Sequence, residues 1–202
     1  MSDIVNIYLL RHAKVDSLPA LNGRSDVPVV FETQRKLCDL LEHEIRVSKV
    51  ITSPLSRCAE LATLYSKAVN AELEIVPCFQ EMDFGAFDGK PFDELQSEWS
   101  QLEDFWQNPA ENTLPNAESL QHFYTRVSTA WMERVGTFEE DTLVVCHGGT
   151  IRMILASILQ LDWKNPQLYS SLQIGYQSLT HLQVIQCDKP YQRVITVGRP
   201  IE

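Results

Sequence analysis

The sequence predicts an α/β fold in which a mostly parallel central sheet is covered by helices on both faces. Short apolar runs rich in β-branched residues alternate along the chain with amphipathic segments of ten or more residues. Such alternation requires crossover connections between parallel strands, and these are right-handed. No repeat or low-complexity segment interrupts the pattern, and 202 residues suit a single domain, predicted over residues 1–202.

The first half of the chain contains three predicted strands and two predicted helices. The strands are Ile4–Leu10, Val50–Thr52 and Leu73–Val76. Apolar residues at helical spacing predict one helix over Glu32–Ile45 and another that runs to Val69. The second helix begins at Ser53-Pro54, with Ser53 as the expected N-cap and Pro54 in the first helical position.

The second half of the chain begins with an acidic loop at Glu81–Gly85. Helices are then predicted over Pro91–Trp106 and Ala117–Val135, with a loop at Asn108–Asn116 between them, and a further helix begins at Ile151. The remaining predicted strands are Thr142–Cys146, Leu179–Ile185 and Arg193–Val197.

Composition and charge exclude several classes of function. The formal net charge is −10 and no Lys/Arg cluster exists, which disfavours nucleic acid and anionic membranes as partners. The apolar runs are too short to span a bilayer. The first residues do not resemble a signal peptide, so we expect a cytoplasmic protein. The five scattered cysteines lack CxxC spacing and predict reduced thiols rather than disulfides or a zinc site.

Two histidines follow predicted strands directly, at Arg11-His12 and at His147-Gly148-Gly149. Ligands of open α/β sheets bind beyond the carboxyl ends of the strands, so both histidines are expected to face one pocket. Taken alone, a histidine at such a position is more often a satisfied polar residue than a nucleophile. The glycine pair either admits an anion to backbone N–H groups or simply marks a turn.

Three charged residues complete a possible phosphoryl-transfer site. Arg57 falls in the first turn of its helix, where a cation opposes the helix dipole unless an anionic ligand is present or the side chain is solvated. Glu81 and Asp83 are, on their own, ordinary surface charges. Phosphoryl transfer needs a nucleophile, cations on the phosphate oxygens and an acid for the leaving group. His12, the arginines with His147, and Glu81 supply these three roles without a metal.

Four segments together resemble the histidine phosphatase superfamily, also called phosphoglycerate mutase-like. A weaker fifth segment is Glu118–Leu120 with Phe123 and Arg126-Val127. The four segments are Leu10–His12, Thr52–Ala59, Glu81–Gly89 and Val145–Arg152.

This resemblance implies a covalent phosphohistidine on His12. Glu81 would protonate the leaving group and then activate water, while Arg11, Arg57 and His147 would hold the transferred group. The resemblance also implies a three-layer α/β/α sandwich and a helical lid around residues 86–116. It implies no cofactor and no metal.

The chain departs from the family pattern after its nucleophile. Ala13, Lys14 and Val15 stand where the family usually has glycine, an acidic or amide residue, and threonine, and Leu18 or a neighbour replaces an asparagine that commonly contacts phosphate. These changes affect substrate contacts more than chemistry. The predicted substrate-binding residues are Asn22, Gly23, Arg24 and Gly148.

Chain length and the segment 23–28 resemble the α-ribazole phosphatase and broad-specificity phosphatase branch. We therefore expect a phosphomonoester hydrolase acting on a small phosphorylated metabolite, with α-ribazole 5′-phosphate of cobalamin biosynthesis as the candidate. Two alternatives are a phosphoglycerate mutase-type phosphotransferase and a non-catalytic phospho-ligand-binding protein. A homodimer is compatible with the sequence.

Overall fold

The structure is a computed structural model and describes residues 4–201. Residues 1–3, which contribute to the prediction of a cytoplasmic protein, lie outside it. Its strands form one six-stranded sheet in the order β3-β2-β4-β1-β5-β6. The strands are β1 (Ile4–Arg11), β2 (Lys49–Thr52), β3 (Glu72–Ile75), β4 (Thr142–Cys146), β5 (Ser178–Ile185) and β6 (Tyr191–Pro200).

Helices connect the strands and cover the sheet. They are α1 (Phe31–Glu44), α2 (Ser56–Val69), α3 (Trp99–Gln107), α4 (Leu120–Val135), α5 (Gly148–Leu159) and α6 (Gln167–Ser170). Three 3₁₀ segments lie at Pro77–Phe79, Gly85–Phe87 and Phe92–Glu98. None of the helices within residues 4–201 is long and apolar enough to cross a membrane.

The sheet is mixed. β3, β2, β4 and β1 are mutually parallel, whereas β5 pairs antiparallel with β1 and β6 pairs antiparallel with β5. The two antiparallel strands follow one another without an intervening helix, so they are joined as a hairpin and need no crossover. The predicted fold class is confirmed, with the antiparallel pair as an addition to the parallel part.

Two hydrophobic cores, one on each face of the sheet, make the molecule three-layered. On one face α1 and α2 bury residues such as Leu41 and Tyr65 against the strands. On the other face α4 and α5 bury Phe123, Trp131 and Ile154. Full burial of a side chain of this kind stabilises the fold by roughly 1.5–3 kcal/mol. Because many such side chains pack on both faces, the helices hold the strand ends in place.

The segment predicted as one helix over Pro91–Trp106 is a 3₁₀ segment followed by α3, with a kink at Leu95. Three rings explain the break, since those of Phe92, Trp99 and Trp106 contact one another edge to face. In a continuous helix residues 92 and 106 would be about 21 Å apart. Here their ring centroids are 5.9 Å apart, so the chain must fold back.

Three helix starts also differ from prediction. α4 begins at Leu120, after Ser119, whose hydroxyl accepts the His122 N–H, and α5 begins at Gly148 directly after its strand. Ser53 is not the N-cap of α2, which begins at Ser56. Its cap comes from a distant loop, because the Asp26 carboxylate accepts both the N–H and the hydroxyl of Ser56 at 2.7 Å.

Candidate active site

The register of the sheet brings the two histidines together. β1 and β4 are parallel neighbours, and Arg11 lies opposite Cys146. The next residues, His12 and His147, therefore leave the sheet side by side, with ring centroids 5.2 Å apart. The His12 N–H donates to the Cys146 carbonyl at 3.1 Å and fixes this exit. Both imidazoles thus lie at the carboxyl ends of the strands.

His12 is held in one tautomer by its own backbone. Its Nδ1 lies 2.7 Å from the Ala13 carbonyl oxygen. A carbonyl can only accept, so Nδ1 carries the proton and Nε2 keeps a free lone pair. Burial, assisted by the charges of Arg57 and Arg11, lowers the pKa of His12 to about 3. The ring is neutral near pH 7, with Nε2 available as a nucleophile.

His147 is completely buried, and both of its ring nitrogens have partners. Nδ1 accepts from Nε of Arg57 at 3.3 Å, so Nε2 carries the proton and donates to the Ser53 hydroxyl at 2.8 Å. Burial lowers the pKa of His147 well below its usual value, with further contributions from His12 and Arg57. His147 is therefore a neutral ring that packs against His12.

Arg57 is also completely buried. Its Nη1 donates to the Ser25 carbonyl at 2.7 Å, and its Nη2 donates to the carbonyls of Asn22 and Gly23 at 3.0 and 2.5 Å. These carbonyls supply the negative partner that a cation in the first turn of α2 needs. Its predicted contact with a transferred phosphoryl group stays a prediction.

Glu81 lies at the N-terminus of α5. One carboxylate oxygen accepts the Gly149 N–H at 2.9 Å, and the other accepts the Met82 N–H at 3.0 Å. A Cβ at position 149 would lie 2.2 Å from the Glu81 carboxylate, so only glycine leaves room for it. The glycine pair after His147 thus leaves room for the predicted acid, Glu81, whose carboxylate accepts the Gly149 N–H.

The fifth sequence segment fixes the backbone of Glu81. Arg126 binds both oxygens of the Glu118 carboxylate at 2.8 Å. The same guanidinium donates to the carbonyls of Cys78, Gln80 and Glu81 at 2.9 to 3.0 Å. Because a planar, always charged group of α4 binds three carbonyls of this loop, α4 helps to fix the position of Glu81.

Beside His12 lies a cavity of about 310 Å³. Its polar end contains Arg11, His12, Glu81 and Arg152, and Asn22 also lines it. Its other walls are largely apolar and aromatic, and three of them, Phe105, Trp106 and Pro109, belong to the predicted lid at 86–116. The remaining lining residues are Val15, Ala20, Leu21, Met82, Phe84, Leu120, Phe123, Gly149, Tyr169 and Tyr176.

The predicted substrate-binding residues have different positions. Asn22 lines the cavity, and its side-chain oxygen is buried without a hydrogen-bond partner among residues 4–201. Gly23 packs so closely on Met82 that a Cβ would lie 1.9 Å from its carbonyl oxygen. Arg24 is exposed and pairs with Asp83 at 3.2 Å, away from the cavity. Gly148 is the first residue of α5, beside the guanidinium of Arg11.

Sequence reasoning missed three site residues. Ser53 was predicted as a helix cap but contacts His147. Tyr176 stacks on the Arg11 guanidinium at 3.8 Å and lies edge-on to His12, yet it comes from a loop with no motif. Arg152 lines the cavity, and its signal was available, because four residues after Gly148 a helical side chain returns to the N-terminal turn.

The positions that depart from the family pattern do not disturb the nucleophile. Ala13 is buried and provides the carbonyl that orients His12, whereas Lys14 and Leu18 are exposed. Within the described part of the chain, no group of three His, Cys, Asp or Glu side chains is placed to hold a metal ion.

A family model for the histidine phosphatase superfamily, branch 1, matches residues 7–195. The chain belongs to the histidine phosphatase superfamily. The match begins within β1 and ends within β6, so it includes both histidines, Arg57 and Glu81.

Curated relatives of this histidine phosphatase include two bacterial proteins. The adenosylcobalamin/alpha-ribazole phosphatase of Escherichia coli K12 is 27% identical over 165 residues, which cover 77% of this chain and 79% of the relative. A protein provisionally named phosphoserine phosphatase 2, from Hydrogenobacter thermophilus, is 27% identical over 172 residues, with coverage of 79% and 81%. With the family match, they identify the chain as a phosphatase.

Solved structures show the same fold. A mycobacterial glucosyl-3-phosphoglycerate phosphatase aligns with a TM-score of 0.82 at 17% identity, covering 98% of this chain and all of the other. A Bacillus stearothermophilus protein aligns with a TM-score of 0.83 at 21% identity, with coverage of 96% and 97%. At these identities the structural likeness concerns the architecture of this histidine phosphatase, not its substrate.

Proposed function

We propose that the chain hydrolyses phosphomonoesters in two steps through a phosphohistidine on His12. One observation carries the proposal: the hydrogen bond from Nδ1 to the Ala13 carbonyl leaves a neutral, unprotonated Nε2 at the polar end of the cavity. Glu81 lines the same end and supplies the proton-transfer group. No step requires a metal.

In the first step, Nε2 of His12 attacks phosphorus while the bond from phosphorus to the ester oxygen breaks. Glu81 in its protonated form transfers a proton to the departing alkoxide, which leaves as the alcohol. The phosphoryl group remains on Nε2 of the now cationic ring, and Nδ1–H stays bonded to Ala13. Arg11, beside His12, faces the oxygens of the transferred group.

In the second step, the Glu81 carboxylate accepts a proton from a water molecule as its oxygen attacks phosphorus. The bond between phosphorus and Nε2 breaks, and the lone pair returns to the ring. Inorganic phosphate and neutral His12 are restored, with Glu81 protonated for the next cycle.

Replacing His12 tests this route directly. His12→Ala should abolish turnover, because no other nucleophile is in place. Wild type quenched in alkaline denaturant after reaction with a ³²P-labelled ester should carry acid-labile label that the variant lacks. His43→Ala, on an exposed turn of α1, is the matched control and should behave as wild type. A His12→Ala enzyme with near wild-type rate would refute the mechanism.

We further propose that the alcohol carries an aromatic group, with α-ribazole 5′-phosphate as the candidate substrate. Six aromatic side chains supply half of the apolar walls of the cavity, and a leaving group with a planar apolar ring would pack against them. Glu81 is the one acidic side chain that lines the cavity among residues 4–201. A phosphorylated amino acid would therefore bring its ammonium group to the arginine end without a second carboxylate to pair it.

A phosphate-release screen tests the substrate class. With chelator present, α-ribazole 5′-phosphate and aryl phosphates should be hydrolysed with higher kcat/KM than phosphoserine or 3-phosphoglycerate. Trp106→Ala should reduce this preference, whereas Trp99→Ala, which removes a ring of the same cluster outside the cavity, should not. Equal kcat/KM for all esters would contradict the substrate class, and loss of activity with chelator would contradict the metal-free route.

The same screen separates the alternatives. A mutase would transfer the phosphoryl group between hydroxyls of phosphoglycerate and release little phosphate. A non-catalytic binding protein would bind phosphate esters without turnover. The cytoplasmic location and the homodimer remain predictions, for which cell fractionation and sedimentation are the measurements.

A further inference from the structure

The loop between α6 and β5, residues 171–177, packs directly on the residues of the phosphoryl site. The Ile174 carbonyl accepts Nη1 of Arg11 at 2.5 Å. Three residues later, the Gln177 N–H donates to the carbonyls of Arg11 and His12 at 3.2 and 3.4 Å. These bonds fix the backbone on both sides of Tyr176. The position of the Tyr176 side chain is therefore tied to the end of the strand that leads to His12.

The ring of Tyr176 covers the guanidinium of Arg11. Cζ of Arg11 lies 3.8 Å from the ring centroid, which is the distance of a direct cation–π contact. The first residue of α5 is also close, because a Cβ at Gly148 would lie 3.3 Å from both Nε and Cζ of Arg11. With Nη1 bonded to the Ile174 carbonyl, the guanidinium cannot turn without losing contacts. Arg11 is thus held by residues outside the motif that contains it.

An aromatic ring suits this position better than an acidic side chain. Within residues 4–201, Arg11 has no carboxylate within 4.0 Å, and its Nε is buried without a hydrogen-bond partner. A carboxylate beside Arg11 would hold the guanidinium but would also compete with a phosphate for it. The face of an aromatic ring attracts the cation without neutralising its charge. Tyr176 therefore fixes Arg11 and leaves its charge for an anionic ligand.

We propose that Tyr176 is a positioning residue that holds Arg11 in the orientation that binds the transferred phosphoryl group. This inference rests on the proposed function, because it assigns a role within that site. The ring also lies edge-on to His12, with ring centroids 5.6 Å apart, so it contacts the cation and borders the nucleophile. All phosphomonoester substrates share the phosphoryl group. The contribution of Tyr176 should therefore be the same for every alcohol.

Inorganic phosphate is the first probe, because its binding is measured without turnover. By titration calorimetry, Tyr176→Leu should weaken phosphate binding about 5- to 30-fold, the loss expected for a partly desolvated cation–π contact. Tyr176→Phe keeps the ring and should bind phosphate as wild type does. Tyr191→Leu is the matched control, since Tyr191 is an exposed tyrosine of β6 that lies near the Arg193 guanidinium and lines no part of the cavity.

Kinetics distinguish a positioning role from a general loss of structure. Tyr176→Leu should lower kcat/KM for an alkyl phosphate and for an activated aryl phosphate by the same factor, because both present the same group to Arg11. Substitution of Glu81 should instead affect the alkyl phosphate far more. Tyr176 is 44% exposed, so its replacement should change the Tm measured without phosphate very little. Phosphate should raise the Tm of Tyr176→Leu less than that of wild type.

Three outcomes would overturn the proposal. Wild-type phosphate affinity in Tyr176→Leu would show that the ring does not hold Arg11. Equal loss of affinity in Tyr176→Phe and Tyr176→Leu would assign the effect to the hydroxyl and not to the ring. A loss of kcat/KM confined to aromatic esters, with phosphate affinity unchanged, would make Tyr176 a wall for the alcohol. The phosphate measurements do not depend on whether His12 forms the phosphoenzyme, so they can fail separately from the proposed mechanism.

Discussion

At the scale of single residues, the substitution of alanine for the family's glycine after His12 has little consequence for the nucleophile. The group that selects the tautomer is the carbonyl of residue 13, which is the same in both amino acids. The side chain of Ala13 is buried in the core on the α1 and α2 face. The chemistry of His12 therefore depends on the backbone conformation of residue 13. A glycine at this position is not required.

Gly149 provides a sharper test at this scale. Gly149→Ala should displace the Glu81 carboxylate, because the added methyl would lie 2.2 Å from it. We expect kcat/KM, which reports the first step, to fall strongly for alkyl phosphates with poor leaving groups and much less for activated aryl phosphates, which need little protonation. Glu81→Gln should give the same pattern.

Glycine 136 offers a matched control, since a Cβ there would meet nothing closer than 3.9 Å. Gly136→Ala should leave the leaving-group dependence unchanged. If Gly149→Ala lowered kcat/KM of all esters by the same factor, Glu81 would not be the proton donor.

The site residues that the sequence predicted share a simple feature: they directly follow strands or lie within motifs. His12 and His147 could be placed together because both leave parallel strands. The environment of Arg57 could not, since its partners are backbone carbonyls of a loop more than thirty residues earlier. A motif identifies a side chain, but only the folded chain shows which of its hydrogen bonds are already used.

At the scale of elements, α2 depends on a cap supplied by a remote loop. Asp26→Ala should lower the free energy of unfolding by about 1 kcal/mol, because the first turn loses an acceptor and a favourable charge. Asp26→Asn keeps a side-chain oxygen and should lose less. Urea denaturation measures both, and Asp39→Ala on the exposed side of α1 is the control. Equal stability of Asp26→Ala and wild type would show that this cap contributes nothing.

The predicted lid segment shows where element prediction from sequence fails. Helical periodicity over Pro91–Trp106 was real, but periodicity does not report contacts between residues far apart on one helix. The contact between Phe92 and Trp106 is such a contact, and it is incompatible with one continuous helix. By contrast, α1 and β4 were predicted to within two residues of each end, because each has its own local pattern of buried residues.

At the scale of the whole molecule, two buried neutral histidines make stability depend on pH. Folding lowers the pKa of both His12 and His147, so between about pH 3 and 6.5 the unfolded chain binds more protons. The free energy of unfolding should therefore fall as pH decreases below about 6.5. Each histidine should contribute up to about 1.4 kcal/mol per pH unit.

Chemical denaturation between pH 4 and 7 measures this slope. His12→Asn removes one of the two groups, so its slope should be smaller than that of wild type by about 1.4 kcal/mol per pH unit. Titrating groups remote from His12 contribute equally to both proteins and cancel in the difference. Identical slopes would mean that His12 is not a buried neutral ring in the folded enzyme.

The central position of β1 in the sheet also determines when, during synthesis, the strand that leads to His12 can pair on both sides. β1 is made first, yet its two neighbours are β4 and β5, and β5 ends at Ile185. During synthesis the strand that leads to His12 therefore lacks its partner on one side until β5 has left the ribosome. A nascent chain that stops before β5 leaves one edge of an apolar strand open to pairing with other chains, so β5 is the element that protects β1 from aggregation.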